Sequence, residues 1–587
     1  MSAQSAESTD QVGDLLADLA ASGVRLKLVD GGRIEITAPR GAMTAQLRDR
    51  TAALKPQLVE WLAAAEARPD TGRLPQVVAD PDNLYEPFTP PDLQQSFLIG
   101  SREGFTWHVR PHQYIELDFD TLDPERFAQA LNRALRRQHR NLVVARDDMT
   151  VQTVRDPAEV PVEVVDLRHL PQDQAEEHML RMRGALCREE PPHDRWPWIE
   201  PRIVRYGDDR ARLLYNNNNL FADAPSGNAL VYDALHYYEH PDRPLPELEV
   251  AFRDCVLALH ALEESPLGQA SKKYWCDRMA DWPEAPDIPL VTGSEHRGRS
   301  MLSRRDFTIP ADTWAAFRAR AEARGLTLTN ALLAAHAEVI AYWSGSRHFL
   351  LNNMISHRPL PLHPQMAQVL GNFAALYPLE VDWRHEESFG RRALRLQKRV
   401  MDDIAHCYWS GSKVLQTLNQ VRRTPGRAVC PFAVGSAMFV GPVNRPHFSM
   451  LETPQTLLDT EFWELRDGTA WIIWDVIEAM FPPGLIDAMF DGYRELVERL
   501  AAGDEAWECT AFDLLPRDQT EQRAELNRSA RPVPAGLLHD ALPVQAANRA
   551  GHPAVATADA SIGYGELHSR AGRVAALLRA EGVGAGD

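Results

Sequence analysis

The sequence predicts an α+β protein of several domains, in which helices pack over mainly antiparallel sheets. Its 587 residues are too many for a single hydrophobic core. Short runs of alternating apolar residues predict strands that pair as hairpins, and stretches with helical spacing separate them. The strand–helix–strand pattern of residues 85–265 starts again within residues 290–510. This repeat indicates two related halves, and a site between them would be reached from both faces.

Residues 1–66 predict a small separate unit at the start of the chain. A helix over residues 12–21 precedes two alternating runs, 24–29 and 33–38, and an Asp-Gly-Gly turn joins these runs into a hairpin. One or two further helices follow over residues 44–65. The unit has no candidate nucleophile or base. It is therefore either a recognition module whose hairpin edge accepts a partner strand, or a structural appendage.

Residues 67–84 are rich in Pro, Asp and Gly and predict a linker. The body that follows opens with a helix in FTPPDLQQSFLIGS, with proline in its first turn. Further helices are predicted over 124–139, 174–187, 251–262, 312–324, 329–344 and 483–500, and strands over 115–119, 142–144, 151–154, 203–206, 212–215, 303–307, 348–352 and 471–474.

One polar corner of the body stands out, in the stretch LLYNNNNLFADAPSGNAL. The run of four asparagines from Asn216 is predicted to end the preceding strand, because asparagine favours turns and local backbone hydrogen bonds. Ser226 is predicted to cap the helix that follows. A polar corner between a buried strand and a helix is a common place for a site, and an ordinary polar loop is the alternative interpretation.

The composition and charge exclude several functional classes. The formal net charge of −19 argues against a nucleic-acid partner. No apolar run approaches twenty residues and no signal peptide opens the chain, so we expect a cytoplasmic protein without a membrane partner. The cysteines form no Cys-x2-Cys pair, so we expect free core thiols and no metal or redox cofactor. They are Cys187, Cys255, Cys276, Cys407, Cys430 and Cys509.

The end of the chain predicts a second boundary. Residues 516–540 contain scattered prolines and predict a linker. Residues 541–587 predict a strand, a turn and a helix, which are too few elements to close a core. We therefore expect this segment to be the truncated start of a larger domain.

Several stretches together resemble the heterocyclization (Cy) domains of nonribosomal peptide synthetases, which belong to the condensation-domain superfamily. Each motif alone is weak, but their order and spacing match the family across almost the whole body. Residues 1–66 resemble the docking domains of such synthetases, and the stretch from LLPRDQTEQRAELNRSARPVPAGLLHDAL resembles the linker into an adenylation domain. The motifs of the body are FTPPDLQQSFLIGS, LEESPLGQASKKYW, WPEAPDIPL, NMISHRPLPLHPQMAQVLGNFAAL, TPQTLLD and IIWDVIEAMFPPGLIDAMF.

The resemblance implies a fold of two chloramphenicol-acetyltransferase-like halves, residues 85–265 and 266–515, in a V-shaped pseudo-dimer. It implies that an upstream acyl or peptidyl thioester is joined to a carrier-bound Cys, Ser or Thr, and that the product is cyclodehydrated to a thiazoline or oxazoline. Both substrates would arrive on 4′-phosphopantetheine arms, and the domain itself would bind no cofactor. The implied partners are an upstream subunit, the upstream and downstream carrier domains, and the chain's own adenylation domain.

The family pattern Asp-x4-Asp-x2-Ser is only partly present in this chain. Its three positions are Asn218, Asp223 and Ser226. An asparagine accepts weaker hydrogen bonds than a carboxylate and carries no charge to orient an arginine. We expect the pair to be architectural, so that its partial loss is tolerated. Two further positions depart from the family pattern. One of them, the third departure below, is Asn372, which stands where the family usually has aspartate.

The family motif Pro-Val-Val-Phe-Thr-Ser aligns with residues 431–436, and Gly435 replaces the threonine expected to assist cyclodehydration. Ser436 would supply a hydroxyl only if its side chain pointed to the same face, which strand alternation argues against. Asp459 is the candidate acid and base, with a pKa raised by burial beside a dry tunnel. Gln455 either positions an amide or thioester or is a hydrogen-bonded turn residue, and Thr453 and Pro454 belong to the same motif.

These departures leave three hypotheses open. The first is a working Cy domain that uses Asp459 as its acid and base. The second is a Cy-derived domain that forms the amide without closing the ring, which Gly435 and Asn218 motivate. The third is a non-catalytic scaffold that presents carrier domains.

Overall fold

The computed structural model describes residues 25–29, 33–37, 48, 50–52, 55, 74–102, 107, 109–291, 302–423, 428–528, 536–537 and 539–584. The predicted helix 12–21, the Asp-Gly-Gly turn and most of the predicted helical stretch 44–65 lie outside these residues. The chain divides into two compact units, residues 1–516 and residues 517–587.

The strands of the first unit include most of those that the alternating patterns predict. They are β1 (Arg25–Val29), β2 (Arg33–Thr37), β3 (His112–Phe119), β4 (Val143–Ala145), β5 (Val151–Thr153), β6 (Glu163–Asp166), β7 (Ile199–Tyr206), β8 (Arg210–Asn218), β9 (Ser303–Ile309), β10 (His348–Ser356), β11 (Ala374–Asp382), β12 (Phe432–Ser436), β13 (Phe448–Glu452), β14 (Leu458–Glu464) and β15 (Ala470–Val476).

The helices of the first unit lie between and over these strands. They are α1 (Asp92–Gly100), α2 (Pro124–Arg137), α3 (Gln172–Leu186), α4 (Ala224–Glu239), α5 (Phe252–Glu264), α6 (Pro266–Arg278), α7 (Ala311–Glu322), α8 (Leu328–Ser344), α9 (Phe389–Ile404), α10 (Gly411–Arg422), α11 (Leu485–Ala502) and α12 (Glu505–Glu508).

Two larger sheets organise the body of this unit. The first has the strand order β13-β3-β8-β7-β6 and the second has the order β11-β10-β12-β14-β15-β9. Most pairs are antiparallel, whereas β6–β7, β10–β12 and β12–β14 are parallel. Strand β13 follows β12 along the chain but pairs with β3, with Met450 opposite Tyr114. The two halves are therefore joined through a shared sheet, and the predicted α+β class is confirmed.

One face of the six-stranded sheet packs into the main hydrophobic core, and the other face carries buried carboxyl groups on β14 and β15 beside further apolar residues such as Ile473. Leu458, Phe462 and Trp474 point into the main hydrophobic core, which also contains residues of α8 and α11. Because side chains alternate along a strand, Asp459 and Asp475 lie on the opposite face. That face is turned toward β13, since Arg304 of β9 donates a hydrogen bond to Ser449 of β13.

The hairpin predicted near the N-terminus is confirmed. Strands β1 and β2 pair in antiparallel register, with Leu26 opposite Ile36. The side chain of Ile36 is 44% exposed, so β2 presents an apolar residue to solvent. The hairpin predicted at β4 and β5 is also present, with Val144 opposite Gln152.

The polar corner differs from the sequence-based expectation. Strand β8 continues through Asn216, Asn217 and Asn218 instead of ending before them. It is a central strand, because β3 and β7 pair with it on both sides at these residues. The ladder supplies the backbone with partners that outweigh the turn preference of asparagine, so the prediction was wrong.

The sequence did not predict β13, β14 or the short helix α12, nor four further elements. Strand β6 is short and its side chains are mostly exposed, so it carries no apolar alternation. Strand β11 contains Pro378, which lowers the strand signal even though five consecutive residues of it are buried. The remaining two are helices α9 and α10, which follow β11 and carry many charged and polar residues.

The second unit contains α13 (Arg517–Asn527), α14 (Ala541–Asn548), β16 (Pro553–Ala556), β17 (Ser561–Gly563) and α15 (Tyr564–Ala580). Helix α13 lies inside the segment predicted to be a linker, and none of its side chains is buried. Among the described residues of this unit, Ala546 alone is buried. Across the described parts of both units, no helix has the length and the apolar character needed to cross a membrane.

Candidate active site

Asn218 closes the buried end of strand β8. Its Nδ2 donates a hydrogen bond of 3.0 Å to the Pro191 carbonyl, and its Oδ1 accepts one of 3.0 Å from the backbone N–H of Leu220. Both ends of the amide are therefore satisfied inside the protein. A carboxylate at this position would lack the donor that the Pro191 carbonyl receives. Asparagine thus suits its surroundings in this chain, although the family pattern has aspartate there.

Asp223 caps helix α4 and also binds the other half of the body. Its Oδ1 accepts a hydrogen bond of 2.9 Å from the backbone N–H of Ser226, so Asp223 is the capping residue and the prediction for Ser226 was wrong. Arg358 donates to both carboxylate oxygens, from Nη2 at 2.9 Å and from Nε at 3.0 Å. The backbone N–H of Phe373 donates to Oδ2 at 3.0 Å.

Arg358 is the centre of the contact between the halves. Besides Asp223, it donates to the carbonyls of Met366, Val369 and Gly371 at 3.0, 3.0 and 2.8 Å. The Ser226 hydroxyl donates to the Gly371 carbonyl at 2.6 Å. The side chains of Arg358 and Asp223 are only 4% and 6% exposed. These contacts support the architectural role expected for Asp223 and Ser226.

Asn372 joins the same contact region. Its Nδ2 donates to the Asn219 carbonyl at 3.1 Å, and its Oδ1 accepts from the backbone N–H of Ala374 at 3.1 Å. The third departure from the family pattern is therefore also accommodated by an amide that uses both its donor and its acceptor.

Asp459 lies on the polar face of strand β14. It stands opposite Ala433 of β12 on one side and Asp475 of β15 on the other. The residue is 1% exposed. Its Oδ2 accepts a hydrogen bond of 2.9 Å from the Thr453 hydroxyl, whereas its Oδ1 has no hydrogen-bond partner among the described residues. One carboxyl oxygen is thus buried without a hydrogen-bond donor from the described residues.

Burial and neighbouring carboxylates change the protonation of Asp459. Removal from water is the largest effect, and repulsion from Glu461 and Asp475 acts in the same direction. The hydrogen bond from Thr453 and the positive charge of Arg304 oppose these effects only in part. Together they raise the pKa of Asp459 to about 8. A carboxyl that still holds its proton near neutral pH can both donate and accept one, as a general acid and base must.

Arg304 does not neutralise Asp459 directly, because it is engaged by Asp475. Its Nε and Nη2 donate to the two oxygens of Asp475 at 2.8 and 2.5 Å. Its remaining nitrogen, Nη1, donates to the Ser449 hydroxyl. The arginine therefore fixes the side chains on this face, and Asp459 forms no ion pair with any described residue.

Gly435 lies beside this row, and Met354 fills the space next to it. A Cβ atom placed on Gly435 would lie 3.1 Å from the Met354 Cβ and 3.3 Å from its Sδ and Cε. Contacts of that length are tighter than ordinary van der Waals contacts. Replacing Gly435 by the family threonine would therefore require Met354 to move.

We expect Gly435→Thr alone to destabilise the protein by about 1–3 kcal/mol, because added atoms overpack the contact with Met354. Combining it with Met354→Ala should recover part of the loss, since the Sδ and Cε contacts disappear. The midpoint of urea unfolding measures both effects. Gly184→Thr serves as the control, because no atom lies within 4 Å of a Cβ at that position. An unchanged urea midpoint for Gly435→Thr would show that Met354 does not crowd a side chain at position 435.

Ser436 lies on the opposite face of strand β12 from the Asp459 row. Its hydroxyl is 2.9 Å from the Thr329 hydroxyl of α8 and accepts from the backbone N–H of Met438. The alternation of a strand explains this direction. Ser436 therefore does not replace the hydroxyl that Gly435 lacks.

Gln455 connects the TPQTLLD segment to the first half. Its backbone φ is 60°, and its Nε2 donates to the carbonyls of Gly100 at 3.2 Å and Trp107 at 3.5 Å. Pro454 also packs against Gly100, since a Cβ there would lie 3.4 Å from the Pro454 Cβ. Gln455 and Pro454 thus anchor the segment whose Thr453 binds Asp459.

A separate cleft of about 570 Å³ lies between α1, α5, β11 and α10. Lys413 of α10 binds Glu263 and lies 3.4 Å from Asp92 beside this cleft. Its lining contains none of the residues around Asp459. In the part of the chain that the structure describes, no cluster of three or more His, Cys, Asp or Glu side chains is arranged to hold a metal ion. We therefore assign the candidate chemistry to Asp459.

The sequence analysis missed several members of this site. Asp475 is a single charged residue inside the apolar run WIIWDV, and that isolation was a usable signal. Arg304 lies in a strand without a family motif, and Glu461 lies two residues beyond the end of TPQTLLD. Arg358 belongs to the quoted motif SHRPLPLHP, but nothing in the sequence indicated its partner 135 residues away.

Two family models match the chain. The model of the condensation domain matches residues 113–424, and the model of the TubC N-terminal docking domain matches residues 12–63. The chain is 32% identical over 523 residues to phenyloxazoline synthase MbtB of Mycolicibacterium paratuberculosis, covering 86% of this chain and 44% of that protein. It is 31% identical over 590 residues to pyochelin synthetase PchF of Pseudomonas aeruginosa, covering 98% of this chain and 31% of that protein.

Solved structures resemble the chain over most of its length. The cyclization-docking bidomain of the nonribosomal peptide synthetase EpoB from Sorangium cellulosum matches with a TM-score of 0.69 and 29% identity, covering 85% of this chain and 99% of that chain. The nonribosomal peptide synthetase FmoA3 matches with a TM-score of 0.72 and 28% identity, covering 88% of this chain and 54% of that chain. The chain spans less than half the length of the two curated relatives.

Proposed function

The chain belongs to the condensation-domain family, and we propose that its body is a heterocyclization domain of a nonribosomal peptide synthetase. The family recognised from the sequence motifs and the predicted fold of two acetyltransferase-like halves are confirmed. The similarity to a phenyloxazoline synthase, to pyochelin synthetase and to a cyclization-docking bidomain supports this activity. The observation that carries the proposal is the buried Asp459, with one unpartnered oxygen and a pKa of about 8.

The proposed reaction has two stages. The amine of a carrier-bound Cys, Ser or Thr first attacks the upstream thioester, forming the amide and releasing the upstream thiol. The side-chain thiol or hydroxyl then attacks the new amide carbon. Its proton and the amide N–H proton leave as the ring and its C=N bond form, and the former carbonyl oxygen departs as water. Asp459 accepts one of these protons and supplies one to the departing oxygen.

The residues around Asp459 have supporting roles in this proposal. Thr453 holds one oxygen of the carboxyl, and the other has no hydrogen-bond partner among the described residues. Arg304 and Asp475 fix the polar face of the sheet, so that little reorganisation accompanies proton transfer. Gln455 and Pro454 hold the Thr453 segment against the first half.

Gly435 supports a second candidate function, in which the domain forms the amide and does not close the ring. Met354 occupies the space beside Gly435, so the hydroxyl of the family threonine is absent and its place is partly filled. A non-catalytic scaffold for carrier domains is the third candidate from the sequence, and no contact in the site favours it.

The partners follow from the same proposal. The TubC-type match at residues 12–63 supports docking to an upstream synthetase subunit. Both substrates would be presented by carrier domains on 4′-phosphopantetheine arms, which are substrates of this domain and not its resident cofactor. An adenylation domain beginning within residues 541–587, domain boundaries near 66, 84, 265, 515 and 540, and a cytoplasmic location complete the proposal.

The product on the carrier decides between the candidate functions. We expect that the chain, given a donor acyl-carrier and a cysteinyl-carrier, yields a tethered product one water lighter than the linear amide. Mass spectrometry of the phosphopantetheine arm measures this difference. The linear amide with Cys, Ser and Thr alike would favour the second candidate, and no coupling would favour the scaffold. Deleting residues 1–66 should weaken coupling only when the donor is supplied by the upstream subunit.

A further inference from the structure

Strand β14 places a second carboxyl group beside Asp459. Asp459 and Glu461 are two residues apart, so their side chains leave the same face of the strand. Leu458, Thr460 and Phe462 alternate with them and are buried on the other face. Two carboxyl groups therefore stand side by side, separated by about 7 Å of extended backbone.

The neighbouring strand leaves room in front of both carboxyl groups. In the ladder between β12 and β14, Ala433 is opposite Asp459 and Gly435 is opposite Glu461. Alanine and glycine are the smallest residues, and neither offers a hydrogen bond or a charge from its side chain. Glu461 therefore faces the position at which the family threonine would stand.

The two carboxyl groups differ in exposure. Asp459 is 1% exposed, whereas Glu461 is partly exposed. One oxygen of Glu461 accepts a hydrogen bond of 2.9 Å from the Trp463 indole, which fixes the side chain on the polar face. Asp459 keeps one oxygen without a partner among the described residues. Glu461 is therefore the fixed and more exposed member of the pair.

The charged groups around the pair are unevenly matched. Asp459, Glu461 and Asp475 are three carboxyl groups on this face, and Arg304 is engaged with Asp475 through two hydrogen bonds. Two further acidic groups among the described residues lie near this face. They are Asp306 on β9, which binds Arg445, and Glu452 on β13, which lies 3.6 Å from His112, and both add to the negative field at Asp475. Adjacent carboxyl groups with too few cations share protons instead of ionising independently.

We propose that Glu461 is a positioning residue that shares a proton with Asp459 and sets the protonation state in which Asp459 acts. Sharing here means that the two carboxyl groups titrate as a coupled pair, and no direct bond between them is required. Its relevance to ring closure rests on the proposed function, but the shared proton itself does not. With Gly435 opposite it, Glu461 takes over part of the proton handling that a hydroxyl at position 435 would serve.

The pH dependence of stability tests the shared proton without any substrate. Repulsion from Glu461 contributes to the raised pKa of Asp459, which is about 8 in the folded protein and 3.8 ordinarily. The group therefore costs stability increasingly as the pH rises between these values, and the cost is constant above them. The difference in urea midpoint between the parent and Asp459→Asn follows that titration.

In a Glu461→Gln background, we expect this difference to level off at a pH lower by about one unit, because one negative charge has been removed. Glutamine keeps the size of the side chain and can still accept from Trp463. Glu461→Asp should retain most of the parent behaviour. Glu464→Gln is the matched control on the same strand, since Glu464 binds Arg318 on the other face. The proposal would be overturned if the midpoint difference levelled off at the same pH with and without Glu461→Gln.

A second readout separates this inference from the proposed function. If the carrier assay yields the ring, its pH profile should move in the same direction in Glu461→Gln, while amide formation keeps its profile. If no acceptor yields the ring, the proposed function fails, and the unfolding experiment alone decides whether the two carboxyl groups share a proton. A ring profile that does not move, despite a moved stability profile, would remove Glu461 from the reaction.

Discussion

Asp459→Asn is expected to leave amide formation intact and to lower ring closure by about 10²–10⁴-fold, the usual contribution of a general acid or base. Asparagine preserves the size of the side chain and can still accept from the Thr453 hydroxyl. It cannot take up or release a proton at the working pH. The linear amide should therefore accumulate on the carrier, and its mass should exceed that of the ring product by one water.

The same substitution should stabilise the protein at high pH. The folded pKa of about 8 exceeds the ordinary value of 3.8, so the carboxyl costs stability as the pH rises through that window. At about 1.4 kcal/mol per pKa unit, the cost reaches at most about 6 kcal/mol above pH 8. The variant and the parent should have equal urea midpoints near pH 4, with the variant higher at pH 8.

Two observations would contradict this division of roles. An equal loss of the amide and the ring would mean that Asp459 supports the fold or substrate binding and not ring closure. A variant less stable than the parent at pH 8 would mean that the carboxyl is stabilised by its surroundings. Asp467→Asn is the control, because Asp467 is exposed in a turn and accepts its hydrogen bonds from Thr469 among the described residues.

The candidate acid was predictable from the sequence because a motif fixed its position. The motif TPQTLLD placed Asp459 by resemblance to the family, and strand alternation correctly directed Ser436 away from the face of position 435. The partners of Asp459 were not predictable in the same way. Asp475 lies beside Asp459 because β15 pairs with β14, and Arg304 lies beside Asp475 because β9 pairs with β15. Arg304 is more than 150 residues away from Asp459 in the sequence. The pairing of these three strands depends on the whole sheet, so no local pattern in the sequence predicts it.

The fold was predicted best where one periodicity dominates a segment. Helices α2, α5 and α11 carry clear apolar stripes, and the structure places them within a few residues of the predicted bounds. The prediction at the four asparagines was wrong because it used their preference for turns and took no account of the neighbouring strands. In a central strand, pairing on both sides and a satisfied amide at Asn218 outweigh that preference.

Arg358→Met is expected to destabilise the body by about 3–5 kcal/mol, because it leaves Asp223 buried without its counter-charge. The loss extends beyond the ion pair, since the carbonyls of Met366, Val369 and Gly371 lose their donor as well. Methionine retains most of the apolar stem. The urea midpoint measures the effect, and both products of the carrier assay should fall together because the halves are no longer held in register.

The double variant Asp223→Asn/Arg358→Met distinguishes a buried charge from lost packing. If the uncompensated carboxylate causes most of the damage, the double variant should be more stable than Arg358→Met alone. Arg384→Met is the control, because Arg384 is 59% exposed in its pair with Asp382 and should contribute no more than about 1 kcal/mol. An Arg358→Met midpoint equal to that of this control would show that Asp223 and Arg358 do not hold the halves together. The contact between Asp223 and Arg358 would then not explain why this chain tolerates asparagine at positions 218 and 372.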